Sequence, residues 1–415
     1  MPGGSPRRRR QPVRIAIVNS YYYPDEVGGA ERSVRQLAET AVAHGHDCTV
    51  FTTGRNRQTV EVNGVRVERF ARPDCGKSSA SDVAKLLWHA CDTYRPALAA
   101  EMVAAIERSD PLIVHTNNLS GISVALWARL KSIGLPIAHT LRDYYLMCPN
   151  TARFRGGQPC RKTCSPCRVL AIPRLAATRQ VDTVIGNSRF ILQEHLATGA
   201  FPNARREVIY NGYRPAAPVS ARAAVPGGRS LTIGYIGRLV PAKGLELLID
   251  AFRSAARKLS RPICLHIAGV GDAKYVARLR ELAHGLPVRF RGHLEPQAFY
   301  GAVDITVVPS LWDEPLARVL FESFAHGIPV LASAKGGSTE LVVSGRTGWL
   351  FDAADPKSLE SSLLAAVYGC ASEKYRELST RCLAESRRFL PERTLEAYIA
   401  ALQSTCHPLE APSLP

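Results

Sequence analysis

The sequence predicts an α/β protein of two domains, each built on a parallel sheet with helices on both faces. Three observations carry this. Short apolar, β-branched runs recur along the chain, each followed by a loop and a stretch of helical period. At 415 residues the chain is long enough for two domains, each with its own core. A stretch rich in Ala, Pro, Gly and Arg, residues 215–228, separates two series of such units. The expected organisation is a disordered basic arm over 1–12, a first domain over 13–213, a linker over 214–230 and a second domain over 231–384. A last helix over 385–405 and a tail over 406–415 follow.

Arg14 to Asn19 reads as the first strand, followed by a loop and a helix with Val34, Leu37, Ala38 and Ala41 on one face. Gly28 and Gly29 open that helix. They let backbone N–H groups approach a ligand, as in phosphate-binding turns, although a Gly-Gly helix entry is also common without one. Asp47 to Thr52 is the second strand, and short alternating strands surround the turn Asn63-Gly64. Residues 80–108 read as mostly helical. Strands then start at Leu112, Pro136 and Val181. In such sheets ligands sit at the carboxyl ends of the strands. His115, Asn117, Asn118, Arg142 and Asp143 stand at two of those ends, where each side chain either contacts a ligand or satisfies loop backbone.

Between Cys148 and Cys167 lies an insertion rich in Gly, Arg and Pro, with cysteines at 148, 160, 164 and 167. The last two gaps have metal-ligand spacing and the first is irregular. A structural zinc on Cys148, Cys160, Cys164 and Cys167 is one reading and a cluster of metal-free thiols the other. Four thiolates would fill the coordination sphere, so a catalytic zinc is not expected there.

In the second domain, Leu231 to Gly237 is a strand ending in glycine, followed by Arg238, a proline turn, Lys243 and a helix carrying Leu245, Leu248 and Phe252. Two cations five residues apart at a strand end suit a diphosphate, Arg by its planar fork and Lys as a point charge. Ile263 to Ala268 is the next strand. The turn at Gly271 after it and His293 after the strand from Val288 are two strand ends that could flank a planar base.

The stretch from Asp304 to Pro329 combines a buried strand, a loop and a helix. Pro315 suits the first turn of that helix, with Glu314 at the cap and Leu316 on its apolar face. Glu314 and Glu322 would then stand about 12 Å apart along one helix, too far to share a proton but well placed to grip two ends of a long polar ligand. The helix start, opened by Pro315 and with free N–H groups from Leu316 onward, would receive phosphate between them.

Formal net charge is +17, which favours anionic partners such as phosphorylated substrates, an anionic membrane surface or nucleic acid. No apolar run approaches the roughly 18–20 residues of a membrane span, and the N-terminus lacks the apolar core of a signal peptide. A cytoplasmic protein is expected, with its 11 cysteines mostly reduced and Arg7 to Arg10 in a disordered arm.

With Gly28-Gly29 in the first loop, Arg238 and Lys243 in the second domain, and Glu314 and Glu322 separated by seven residues, the chain resembles the retaining group-1 (family 4) glycosyltransferases of the GT-B fold. The segments IGNSRFILQEHL, residues 185–196, and GGSTELVVSGRTGWLF, residues 336–351, are also similar to that family. The resemblance implies two Rossmann-like domains with parallel sheets facing across a cleft, and a last helix crossing back to the first domain. By it, Arg238 and Lys243 would hold the diphosphate, Glu322 the ribose and Glu314 the donor sugar hydroxyls, with Gly29 approaching the phosphates from the other side. Retention would come from front-face attack assisted by the leaving phosphate, with no cofactor or metal required for catalysis. Family members often carry a second histidine where this chain has Asn117, and His-Asp where it has Arg142-Asp143. His115 is therefore the expected contact to the transferred sugar or acceptor.

The partners so implied are a UDP- or GDP-sugar donor and a glycan or lipid-linked acceptor, met at the inner membrane face. Two other readings stay open from the residues: a GT-B epimerase or phosphorylase, and a basic nucleic-acid-binding protein. Against the last, the cations do not alternate with aromatics in a stacking pattern, so no nucleic acid is expected.

Overall fold

The computed structural model describes residues 12–26, 28–72, 88–89, 91–160 and 162–406. The basic arm at Arg7 to Arg10, most of the tail and part of the 80–108 stretch lie outside the described residues.

The first sheet is built from β1 (Arg14–Val18), β2 (Asp47–Gly54), β3 (Gln58–Val62), β4 (Val65–Ala71), β5 (Ile113–Thr116) and β6 (Ile137–Leu141). A two-stranded ribbon, β7 (Phe154–Arg155) and β8 (Gln158–Pro159), interrupts the series before β9 (Thr183–Gly186) and β10 (Arg205–Val208) complete the sheet. Its order is β10-β9-β6-β5-β1-β2-β4-β3, parallel except for the β3–β4 hairpin. The alternation within β1 shows how it is held. Ile15 and Ile17 pack with Val34 and Leu37 of the Gly29–Ala43 helix, while Ala16 and Val18 pack with Leu98 and Met102 of the Pro96–Arg108 helix.

The second sheet runs β13-β12-β11-β14-β15-β16 and is parallel throughout. Its strands are β11 (Leu231–Ile236), β12 (Ile263–Ala268), β13 (Val288–Gly292), β14 (Ile305–Val308), β15 (Val330–Ser333) and β16 (Gly348–Phe351). The Leu245–Lys258 helix buries Leu245, Leu248, Ile249 and Phe252 against it. The Pro391–Thr405 helix follows the second sheet in the chain but buries Leu395, Tyr398, Ile399 and Leu402 in the core of the first.

Hydrogen bonds join the two halves where the strand ends meet. Tyr144, after β6, donates its hydroxyl to the Asp313 carbonyl at 2.7 Å, and Ser188, after β9, donates to the Pro315 carbonyl at 2.6 Å. From the second half, the Glu340 carboxylate accepts the N–H groups of Arg189 and Phe190 at 3.0 and 2.7 Å and the Tyr210 hydroxyl at 2.8 Å. Glu340 thus caps the Arg189–Leu196 helix from across the cleft, satisfying N–H groups that a helix start leaves unpaired. No described helix is long and apolar enough to cross a membrane.

Candidate functional site

The 310–317 loop differs from the sequence expectation. The helix runs Arg318–Ala325, with Ala317 at its cap, so Glu314, Pro315 and Leu316 lie in an extended loop before it, and the two glutamates do not share one helix. The cause is tertiary. The Glu314 carbonyl accepts the Gly337 N–H at 2.9 Å and the Pro315 carbonyl accepts the Ser188 hydroxyl at 2.6 Å, so two carbonyls that would start the helical ladder are engaged elsewhere. Two glycines let the chain come this close. A Cβ on Gly244, at φ +69°, would stand 1.9 Å from the Pro309 carbonyl oxygen, and one on Gly336, at φ +55°, 2.1 Å from that of Glu314.

The loop delivers the Glu314 carboxylate to Lys243. Lys243 Nζ stands 2.6 Å from Glu314 Oε1, and the Ser310 hydroxyl donates to the same oxygen. Glu314 is buried and Lys243 nearly so. Arg238, exposed at the end of β11, has its carbonyl fixed by the Tyr235 hydroxyl at 2.8 Å.

Glu322, on the helix, is buried between two donors, Arg318 Nε at 2.8 Å and the Tyr300 hydroxyl at 2.9 Å. Arg318 also reaches the first domain: its Nη1 donates to Ser33 Oγ at 2.8 Å, and its Cδ lies 2.8 Å from where a Cβ on Gly29 would stand. Arg318 escaped the sequence reading, although its position four residues before Glu322 on one helical face was a usable signal.

Gly28 caps the Gly29–Ala43 helix, its N–H donating at 2.9 Å to Glu31 Oε2. Burial raises the Glu31 carboxyl above its ordinary range, offset by these backbone N–H groups and by the positive charge of Arg238 across the cleft. Glu31 was also missed; its place three residues after the cap is the capping-box signal.

His115 does not face the cleft. It sits within β5 on the face of Ile113, buried among Ile15, Ile17, Leu395, Tyr398 and Leu402, with Nε2 2.7 Å from the Thr140 hydroxyl. Burial first, and Arg142 second, push its pKa down to about 3, so the ring is neutral near neutral pH. Arg142 turns the same way, with Nε 2.8 Å from Asn117 Oδ1 and Nη1 2.6 Å from Asn211 Oδ1. Asp143 lies within reach of the Glu31 charge instead. Half-buried, it accepts Asn118 Nδ2 at 2.7 Å and the Tyr145 N–H at 2.8 Å. Burial raises its pKa to about 6 against the pull of the Tyr145 N–H, with the Glu31 charge adding to the rise.

Gly271 closes against β11, since a Cβ there would meet the Leu239 carbonyl oxygen at 2.1 Å, and it forms a parallel bridge with Leu239. His293 is exposed after β13 and stands 3.7 Å from Glu295. The four insertion cysteines are free thiols, Cys148 buried and the others half-buried, with Cys164 and Cys167 Sγ atoms 3.0 Å apart. Among the described residues no three His, Cys, Asp or Glu side chains stand as a metal-holding group.

The arrangement places two cations, Arg238 and Lys243, beside carboxylates fixed in orientation, at the meeting of two parallel sheets. Such a site can neutralise a diphosphate while hydrogen-bonding hydroxyls. Residues 28–212 match the model of the glycosyl transferase 4-like domain, and residues 222–378 that of the glycosyl transferases group 1. An uncharacterized 42.6 kDa protein in the cps region of Klebsiella pneumoniae is 33% identical over 335 residues, covering 79% of this chain and 87% of that one. D-inositol 3-phosphate glycosyltransferase of Thermobispora bispora is 26% identical over 435 residues, with 95% and 96% covered. Among solved structures, sucrose-phosphate synthase of Thermosynechococcus elongatus superposes with a TM-score of 0.74 at 22% identity, over 95% of this chain and 99% of that one. HepE of Anabaena, in complex with UDP and glucose, gives 0.69 at 19% identity, over 94% and 100%. These likenesses show the GT-B fold.

Proposed function

The chain belongs to the group 1 glycosyl transferases, and from that premise we propose that it moves a sugar from a nucleoside-diphosphate sugar to an acceptor hydroxyl, with retention and without a catalytic metal. The observation that carries the reading is the Lys243–Glu314 pair at 2.6 Å, with Arg238 five residues before Lys243 and the Arg318–Glu322 pair on the helix that follows the Glu314 loop. Breaking the bond from sugar C1 to phosphate builds negative charge on the diphosphate and positive charge on the sugar. Arg238 and Lys243 stabilise the first, and Glu314 orients sugar hydroxyls and steadies the second. Glu322 accepts from ribose hydroxyls, and Gly29 brings backbone close to the phosphates. Attack comes from the face the leaving phosphate departs, as the resemblance to the retaining group-1 enzymes implies.

On the acceptor side the buried His115 gives way to Asp143, whose pKa of about 6 lets it accept a hydroxyl proton near neutral pH. The HepE complexes with UDP and UDP-glucose support a nucleotide-sugar donor.

Thermal unfolding with UDP, GDP and ADP and their sugars tests the donor site. One nucleotide at about 100 times its dissociation constant adds about 2.7 kcal/mol of stability, and Arg238→Ala loses most of that shift. No shift with any nucleotide would sink the reading.

A structural zinc on Cys148, Cys160, Cys164 and Cys167 belongs to the same proposal, supported by their spacing and by the 3.0 Å approach of the Cys164 and Cys167 Sγ atoms. Atomic emission measured on purified protein should find about one zinc per chain, lost in Cys160→Ser. A metal-free protein with an unchanged melting temperature in chelator would remove it.

A further inference from the structure

The Ser165–Ala177 helix buries Ala171 and packs Cys167 and Leu175 on the first core but also carries large apolar residues on its outer face. Its inner face is held by Ala171 and by Arg174, which pairs with Asp92 at 3.1 Å and donates to the Tyr145 carbonyl at 2.7 Å. On its outer face Val169 is 66% and Ile172 63% exposed, one turn apart, flanked by exposed Pro166, Pro173 and Ala176. Tyr94, 66% exposed, follows Thr93, whose hydroxyl accepts Arg174 Nε at 3.0 Å, so it adjoins the same helix.

The stretch of chain that carries this helix is basic. From Tyr144 through Val181 the sequence holds seven Lys or Arg and no Asp or Glu. Of the seven, Arg155, Lys162, Arg168 and Arg179 are exposed.

We infer that the outer face of the Ser165–Ala177 helix, with the cations of the insertion before it, docks the protein on an anionic phospholipid surface. Val169, Ile172 and Tyr94 enter the headgroup boundary, while Arg155, Lys162, Arg168 and Arg179 meet lipid phosphates. A protein partner would have to supply acidic residues around an apolar centre. A bilayer with acidic lipids supplies both features over any extent, and the charge complementarity favours it. The placement has a consequence for the reaction. Asp143 and Tyr144 lead directly into this segment, and Tyr144 bonds the loop that carries Glu314. A docked helix therefore sets the acceptor side of the cleft next to the lipid surface. The inference deepens the acceptor reading, but binding is measured without the transfer reaction, so either can fail alone.

The test is flotation of the full chain with vesicles of phosphatidylcholine containing phosphatidylglycerol, and with pure phosphatidylcholine. Wild type should float with the anionic vesicles and be released as salt approaches about 1 M, where screening is complete within roughly 3 Å. Val169→Asp with Ile172→Asp, both at exposed positions, should weaken binding at least about tenfold with the melting temperature unchanged. Lys162→Ser with Arg168→Ser should also weaken it, on the order of tenfold or more, on anionic vesicles only. Tyr368→Asp, an exposed aromatic of the second domain, should change nothing. The inference is overturned if wild type stays with the unbound fraction, or if the Val169 and Ile172 double variant floats as wild type does. It is also overturned if that variant instead halves the mass in sedimentation, which would assign the face to a second copy.

Discussion

Glu314→Gln should lower the rate of sugar transfer by about 10²–10³, the range set by removing one preorganised electrostatic contact from a transition state. Its nucleotide affinity should stay at or above that of wild type. Glu314 holds Lys243 at 2.6 Å, so neutralising the carboxylate leaves Lys243 with a full charge and no ionic partner beside the diphosphate position. Lys243→Ala separates the two effects. It removes the cation itself, so both rate and nucleotide binding should fall, and Glu314 keeps only the Ser310 hydroxyl as a hydrogen-bond partner in its buried site. Initial rates with calorimetric nucleotide titration check the pair. Full transfer by Glu314→Gln would remove the site from this loop.

Arg174→Met should destabilise the protein by about 3–5 kcal/mol, because it breaks a fully buried ion pair with the Asp92 carboxylate. The two side chains are 1% and 2% exposed, the most enclosed ion pair among the described residues. Arg174 also donates to Thr93 and to the Tyr145 carbonyl, so the same change loosens the turn that aims Asp143 and Tyr144. Chemical denaturation measures the loss. Asp92→Asn in the Arg174→Met background should return part of it, since an amide costs less to bury than an unpaired charge. A loss below about 1 kcal/mol would show that water reaches Asp92 and that the helix is anchored by its apolar contacts alone.

Much of this site was legible in the chain because its signals are local. Short continuous apolar runs set the parallel strands, and the strand-end rule placed Arg238, Lys243 and Glu314 at the strand ends of one domain before any coordinates. His115 shows where locality ends. Alternation groups it with Ile113 on one face of β5, but which helix covers that face depends on Tyr398, nearly three hundred residues away in the chain. The Pro315 helix start failed for the same reason: its carbonyl is taken by Ser188, 127 residues earlier.

The sequence by itself determined the two α/β units, the glycine-dependent turns and the identity of the charged groups at the strand ends. All of these follow from backbone sterics and hydrophobic period within a few residues. Only the tertiary structure decided that Glu314 sits in a loop, that Arg318 joins Glu322 to Ser33, that Glu340 caps a helix of the other domain, and that Asp143 rather than His115 turns toward the cleft. Each is a polar contact between segments remote in sequence, where burial makes an unpaired group costly enough to fix its partner.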